Sequence, residues 1–235
     1  MRKARREDQN SFIRELVLDT AERLFAEHGV FAVSNRQIAE AAGQGNTAVV
    51  GYHFGTKTDL VRALVRRFNV IVEQERAQML ARIGESKDVR DWVECQVYPI
   101  TDRLAALGSP TWFARFGAQV TTDPTLRKIM VDEAILASPS VRQTFDGIRR
   151  CLLSALPQEV RREREEAALT LIVHMCAERE RALADGLPTP RPTWQSAASG
   201  LTDILVGMWL APVSPVDDES PSVRHRHRGA DRDHA

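Results

Sequence analysis

Apolar residues near the start of the chain recur at helical spacing. Ile13, Leu16, Val17, Ala21, Leu24 and Phe25, with Thr20 in the same stripe, follow the i, i+3, i+4 rhythm of one buried helix face. Asn10 or Ser11 can cap the start, and Gly29 stands where a terminating glycine belongs, so a helix is predicted over 11–27. Ser34 followed by Gln37 reads as a capping box, which opens a second helix, "NRQIAEAA", running to Gly43. "GQGN" is a turn by composition, and Asn46 is a good cap for a short helix over about 47–53. Val50 and Phe54 fall on one side of it and are assigned inward, which leaves Thr47, Ala48, Gly51 and Tyr52 outward. Thr56 with Asp59 opens a long helix carrying Leu60, Leu64, Phe68, Ile71, Val72, Met79 and Ile83.

Beyond Gly84 the same rhythm predicts helices near 88–107, 110–121, 124–136, 139–155, 158–185 and 193–211. Asp123-Pro124, Ser138-Pro139, Leu156-Pro157 and "GLPTPRPT" punctuate them. The expected fold is all-α with about nine helices. Residues 212–235 carry few apolar side chains and are expected to be a disordered tail. Many charged and few aromatic residues agree with a helical chain. The formal net charge is zero, yet residues 1–70 hold eleven Lys and Arg against eight Asp and Glu, with the basic excess in "MRKARR". Residues 1–10 are therefore read as a flexible basic arm. Cys95, Cys151 and Cys176 are scattered through apolar patterns without metal-binding spacing, as reduced thiols of a cytoplasmic protein would be. The sequence has no secretory signal and no apolar stretch long enough to cross a membrane, so no membrane partner is expected.

Three short helices with a glycine turn between the second and third form the arrangement of a helix-turn-helix domain, here 11–57. Its second helix needs small residues where it crosses the third; Ala39, Ala41 and Ala42 are assigned there, with Gly43 and Gly45 in the turn. The third helix must be apolar on one side and slight on the other to enter a major groove about 12 Å wide. Gly51 fits that second demand. Its lack of a side chain lets backbone approach bases, although glycine within a helix costs about 1 kcal/mol relative to alanine.

The run "FAEHGVFAVSNRQIAEAAG…YHFGTKTDLVRAL" resembles the N-terminal DNA-binding domain of the TetR, or tetracycline-repressor-like, regulators. The resemblance is strong over residues 12–64 and continues by helix number and length to about 211. It implies a transcriptional regulator, a repressor rather than an activator, that binds a palindromic double-stranded operator as a dimer and is released by a small-molecule effector. It implies base contact by Arg36, Thr47 and Ala48, and phosphate contact by Ser34, Asn35, Tyr52, His53 and Lys57. Two positions depart from the family pattern. Gln44 is an apparent insertion in the turn, and Gly51 stands where a tyrosine is usual, with Tyr52 following.

In the family, the remaining helices form an effector-binding and dimerisation body, here 58–211. The resemblance implies a homodimer through the last two long helices, about 158–185 and 193–211. The expected effector is largely apolar, and its candidate contacts are Tyr98, Trp112, Phe116, Gln119, Phe145 and His174, an aromatic and polar mixture suited to a small-molecule site. No cofactor, metal site or catalytic residue is expected. A helical protein-interaction module and an enzyme remain as alternatives. The enzyme would rest on His174 and Cys176, which diverge on a helix, or on "RREREEA", which reads as a solvated face.

Overall fold

A computed structural model describes residues 2–136, 138–152 and 156–214. They form ten α-helices and a π-helical segment: α1 (Arg2–His28), α2 (Asn35–Ala41), α3 (Val49–Phe54), α4 (Lys57–Ile83), α5 (Val89–Leu107), α6 (Phe113–Thr122), α7 (Pro124–Met130), the π segment (Val131–Leu136), α8 (Pro139–Cys151), α9 (Gln158–Ala184) and α10 (Trp194–Leu210). The chain is all-α, as expected. The first helix begins at Arg2 rather than 11, so the residues read as an arm are its first turns. The helix expected over 124–136 divides, because its last six residues take π geometry. Most of the expected tail, 215–235, lies outside the described residues. Among the described residues no helix is long and apolar enough to cross a membrane.

Two apolar clusters organise the molecule. The first joins α1–α4 to α6, α7 and the C-terminal half of α9; Phe25 of α1 stacks on Phe116 of α6 with ring centroids 6.1 Å apart. The second joins the end of α4 to α5, α8, α9 and α10, around Trp92 and Trp209. The first three helices therefore share their core with the body.

Buried polar groups tie the elements together. Glu180 of α9 is almost fully buried at the start of α6, where it accepts from the backbone N–H of Ala114 (3.2 Å) and of Arg115 (2.9 Å), and from Thr111 Oγ1 (2.7 Å). Those amides have no partner within their own helix, and its positive end favours a carboxylate. A second network answers Pro99 in the interior of α5. Proline has no N–H to donate to the carbonyl four residues earlier, that of Cys95. Buried Arg76 of α4 supplies the donor instead, Nε to Cys95 O at 3.0 Å, and also reaches Ser140 of α8 at 3.2 Å.

Helix α8 lies against α5 at Gly147, where an added Cβ would come within 2.1 Å of the Trp92 ring. Trp92 is itself buried and cannot yield, so Gly147→Ala should destabilise the protein by about 1–3 kcal/mol. Chemical denaturation measures this; an unchanged midpoint would mean that the two helices are not so closely apposed.

Candidate nucleic-acid interface

The capping signals that open α2 and α4 form as the sequence predicts. Ser34 and Gln37 exchange capping bonds at the start of α2, and Thr56 and Asp59 do so at the start of α4. Ile38, Ala39 and Ala42 are buried beneath α3, whereas Ala41, also assigned to that contact, is exposed because it lies on the opposite side of a helix only seven residues long. Gly43 takes φ +66°, a left-handed value that an L side chain resists, and it makes the turn. Gln44 closes the end of α2: its N–H donates to Ala39 O at 2.9 Å and its side chain to Ala42 O at 3.1 Å. Asn46 Oδ1 accepts from Ala48 N at 3.0 Å. Helix α3 starts at Val49, which puts Thr47 and Ala48 in the turn just before it.

Val49, Val50 and Phe54 fix α3 to the core, and Thr47, Ala48, Gly51 and Tyr52 face solvent, Tyr52 with 76% exposure. A Cβ built on Gly51 meets nothing within 4 Å. Nothing in the fold itself therefore calls for glycine there. Arg36 is exposed and held by Glu40 one turn on, at 2.7 Å. The Ser34 hydroxyl is engaged in its capping box, and Asn35 Oδ1 is buried without a hydrogen-bond partner among the described residues.

Lys57 is more committed than a surface lysine. Its Nζ donates to the carbonyls of Val30 (3.2 Å) and Val33 (2.5 Å), which pins the α1–α2 loop and leaves one donor for another partner. His53 packs edge-on to Tyr52, with centroids 5.0 Å apart. Burial, then the charge of Arg14, holds its pKa below the ordinary 6.5. Arg14 lies over the Phe54 ring at 5.1 Å, so α1 adds a cation to this face. Sequence reasoning missed Arg14, because forty positions separate it from its neighbour and only the fold joins them.

The candidate effector residues scatter. Phe116 is core against Phe25, and Phe145 is buried in the second cluster. Tyr98 packs at the edge of that second cluster, Trp112 lies beside a groove near Arg67, and Gln119 borders the α1–α2 loop. His174 alone of the six faces a cavity of about 430 Å³ between α4, α5, α6, α7 and α9. The apolar walls of that cavity include Ile100, Leu104, Met130 and Ile172, beside Phe68 and Phe113, whose rings stack 3.7 Å apart. Sequence reasoning selected neither Phe113 nor Asn69 on the same wall. Cys176 also lines the cavity, and burial pushes its thiol up to about 12, which suits packing rather than nucleophilic chemistry. Val131 brings the π segment to the cavity edge. Two residues on, Glu133 binds Arg66 of α4 through both oxygens, at 2.5 and 2.9 Å, and Arg62 at 3.1 Å.

Residues 17–64 match the family described as bacterial regulatory proteins, tetR family. The chain is 26% identical over 140 residues to the HTH-type transcriptional repressor AcnR of Corynebacterium glutamicum, a match covering 57% of this chain and 65% of that protein. It is 25% identical over 134 residues to AcnR of Corynebacterium efficiens, covering 55% and 62%. The chain thus spans a little under two thirds of the length of these curated relatives. A crystal structure described as a tetR family transcription regulator from Shewanella sp. PV-4 superposes with a TM-score of 0.57 at 19% identity, over 83% of this chain and 96% of that one, a likeness of fold.

Two substitutions separate the roles of Gly51 and Lys57. Gly51→Ala has open space for its methyl and should raise stability by about 0.5–1 kcal/mol. Lys57→Met removes two charge-assisted bonds and should lower stability by about 1–3 kcal/mol. Thermal unfolding of the two variants beside the parent protein measures both signs.

Proposed function

We propose, from the match of residues 17–64 to the tetR family of bacterial regulatory proteins, that the chain is a TetR-type transcriptional repressor that binds a palindromic DNA operator as a homodimer and is released by a small, largely apolar effector. One observation carries this reading: in the matched segment, α3 buries Val49, Val50 and Phe54 and turns Gly51 and Tyr52 outward, with Thr47 and Ala48 exposed in the turn just before it. A helix so anchored suits insertion into the major groove. Arg36 supplies the fork that matches a guanine edge once it leaves Glu40. Lys57, Tyr52, His53 and the α2 start at Ser34 and Asn35 lie where flanking phosphates would pass.

The dimer reading draws on α9 and α10. Ala168, Ile172, Leu201, Leu205 and Trp209 are consumed inside the protomer, but Met175 and Ile204 stay exposed. An apolar remnant on two long helices suits a four-helix contact about a two-fold axis. Release follows if the effector binds more tightly to a subunit arrangement whose recognition helices no longer match the half-site spacing, and the coupling is reciprocal.

Selection of bound DNA from random sequence tests the core of the proposal. It should return an inverted repeat, and binding to it should weaken steeply with salt. Recovery of no shared motif, or equal affinity for all duplexes, would sink the reading. With the operator in hand, Arg36→Ala or Thr47→Ala should change base preference about tenfold or more at one position per half-site. Lys57→Met should weaken all sequences alike and flatten the salt slope by about one.

The pH dependence has a definite sign. His53 is biased toward its neutral form in the free protein, since its pKa lies below 6.5. A neighbouring phosphate favours the imidazolium, so the complex takes up a proton on forming. Operator affinity should therefore rise as pH falls through the region of 6.5, and His53→Gln should flatten that rise. Anisotropy titrations across the range check it.

A further inference from the structure

A second cavity, of about 740 Å³, opens between α9, α10 and the loop that joins them. Its volume falls within the range of small-molecule sites, roughly 300–1,000 Å³. Ala182, Trp194, Ala197 and Leu201 give it apolar walls, and Met175 and Ile204, both exposed, form its rim. Arg179 of α9 lines it with only 8% of its surface exposed. Its Nη1 donates to Arg191 O at 2.7 Å and its Nη2 to Pro192 O at 3.2 Å, while Nε is buried without a hydrogen-bond partner among the described residues. The guanidinium sits over the Trp194 ring at 5.0 Å, and no carboxylate of the described residues pairs with it. Burial pulls its pKa down, the direction expected of a cation left without a counter-charge.

The other polar groups on the walls do not answer that charge. Glu178 turns to Arg181 at 3.3 Å and Asp203 to Arg90 at 2.7 Å, two arginines outside the cavity. Thr101 Oγ1 donates to Val97 O and Tyr98 O of its own helix, and Thr189 Oγ1 donates to Arg191 O. Burial raises the Cys176 thiol to about 12 and keeps it neutral. Arg191 brings a second cation, whose guanidinium lies over Gly200; an added Cβ there would come within 2.5 Å of its Nε. His174, also on the wall, can donate an N–H to an anion in either protonation state. A buried charge without a partner is costly, and an anion relieves that cost. A cationic ligand would add to the charge of the two arginines, and a purely apolar one would leave it unanswered.

We propose that this cavity binds an amphipathic carboxylate, whose anionic head is held by Arg179 and Arg191 and whose aliphatic body lies along Trp194, Leu201 and Ile204. Guanidinium and carboxylate form charge-assisted bonds about twice as strong as neutral ones. The site is separate from the cavity beside α4. The two share a wall at His174 and Cys176, but neither arginine lines the other cavity. The inference goes beyond the regulator reading and does not rest on it. Met175 and Ile204 also serve the dimer reading, so a partner subunit would roof the site, while the charge that recognises the ligand comes from within one protomer.

The test uses the full chain and three probes of one length, octanoate, octanamide and octylamine, with propanoate as the head alone. Calorimetry measures affinity, and thermal shift measures stabilisation. Octanoate should bind most tightly, and propanoate about tenfold or more below it, because a short chain leaves the apolar walls unfilled. Arg179→Met should weaken octanoate about tenfold or more and reverse the preference in favour of octanamide. Arg179 also ties down the loop through Arg191 O and Pro192 O, so a second variant is needed that leaves those bonds in place. Arg191→Gln changes only an exposed side chain, and should weaken octanoate about threefold without affecting octanamide. A response to these two residues also locates the ligand, since neither lines the cavity beside α4. Octanamide or octylamine binding as tightly as octanoate, octanoate affinity unchanged in either variant, or no binding of octanoate overturns the proposal. If affinity is unchanged while Arg179→Met loses self-association in sedimentation, the arginine answers a partner subunit instead. Operator binding is measured separately, and its absence removes the regulator reading without touching this site.

Discussion

A single buried carboxylate holds the architecture in register. Glu180 reaches from α9 into the first turn of α6 and meets two backbone amides that have no partner within their own helix. An acidic side chain so deeply buried is tolerable because those donors, Thr111 and Arg115 surround it. The contact sets where α6 begins. Since Phe116 lies one turn further along α6 and stacks on Phe25, it also sets where α1 sits. The N-terminal helices are thus positioned from the far end of the chain, through one helix ten residues long.

The body follows a related logic, in which a local defect is answered from another element. Pro99 opens the carbonyl ladder of α5, and Arg76 of α4 closes it while reaching α8. Glu73, one turn earlier on α4, accepts from Ser140 N and Ser140 Oγ at the start of α8. Gly147 lets α8 lie flat on Trp92. Each feature removes something locally, an N–H or a side chain, and gains a contact between helices that no single helix could make. In the cavity beside α4, Asn69 Nδ2 is buried without a hydrogen-bond partner among the described residues.

Much of this was legible in the sequence, because the relevant signals are local. Ser34 with Gln37, Thr56 with Asp59, Gly29 and Gly43 act within a few residues, and they stand in the structure as predicted. The inward set of α3 was legible for the same reason: a short helix has only one apolar side. The cavity was not. Phe116 and His174 look equally eligible as sequence, yet one is sealed against Phe25 and the other faces open volume. That difference depends on which neighbours arrive from α1 and α4, far away along the chain. Arg14 beside α3 and Lys57 across the α1–α2 loop were hidden likewise, since both partnerships span more than twenty residues.

The shared core of α1–α4 with α6 and α7 has a consequence for modularity. A boundary drawn after Lys57 follows the motif but cuts through packed side chains, among them Phe25 against Phe116. A recombination joint at that point, whether made by evolution or by an engineer, would leave the transplanted head with an apolar wound on α1 that a foreign α6 must fit. The N-terminal helices of this chain are therefore fitted to their own body, and they do not move to another without repacking α1.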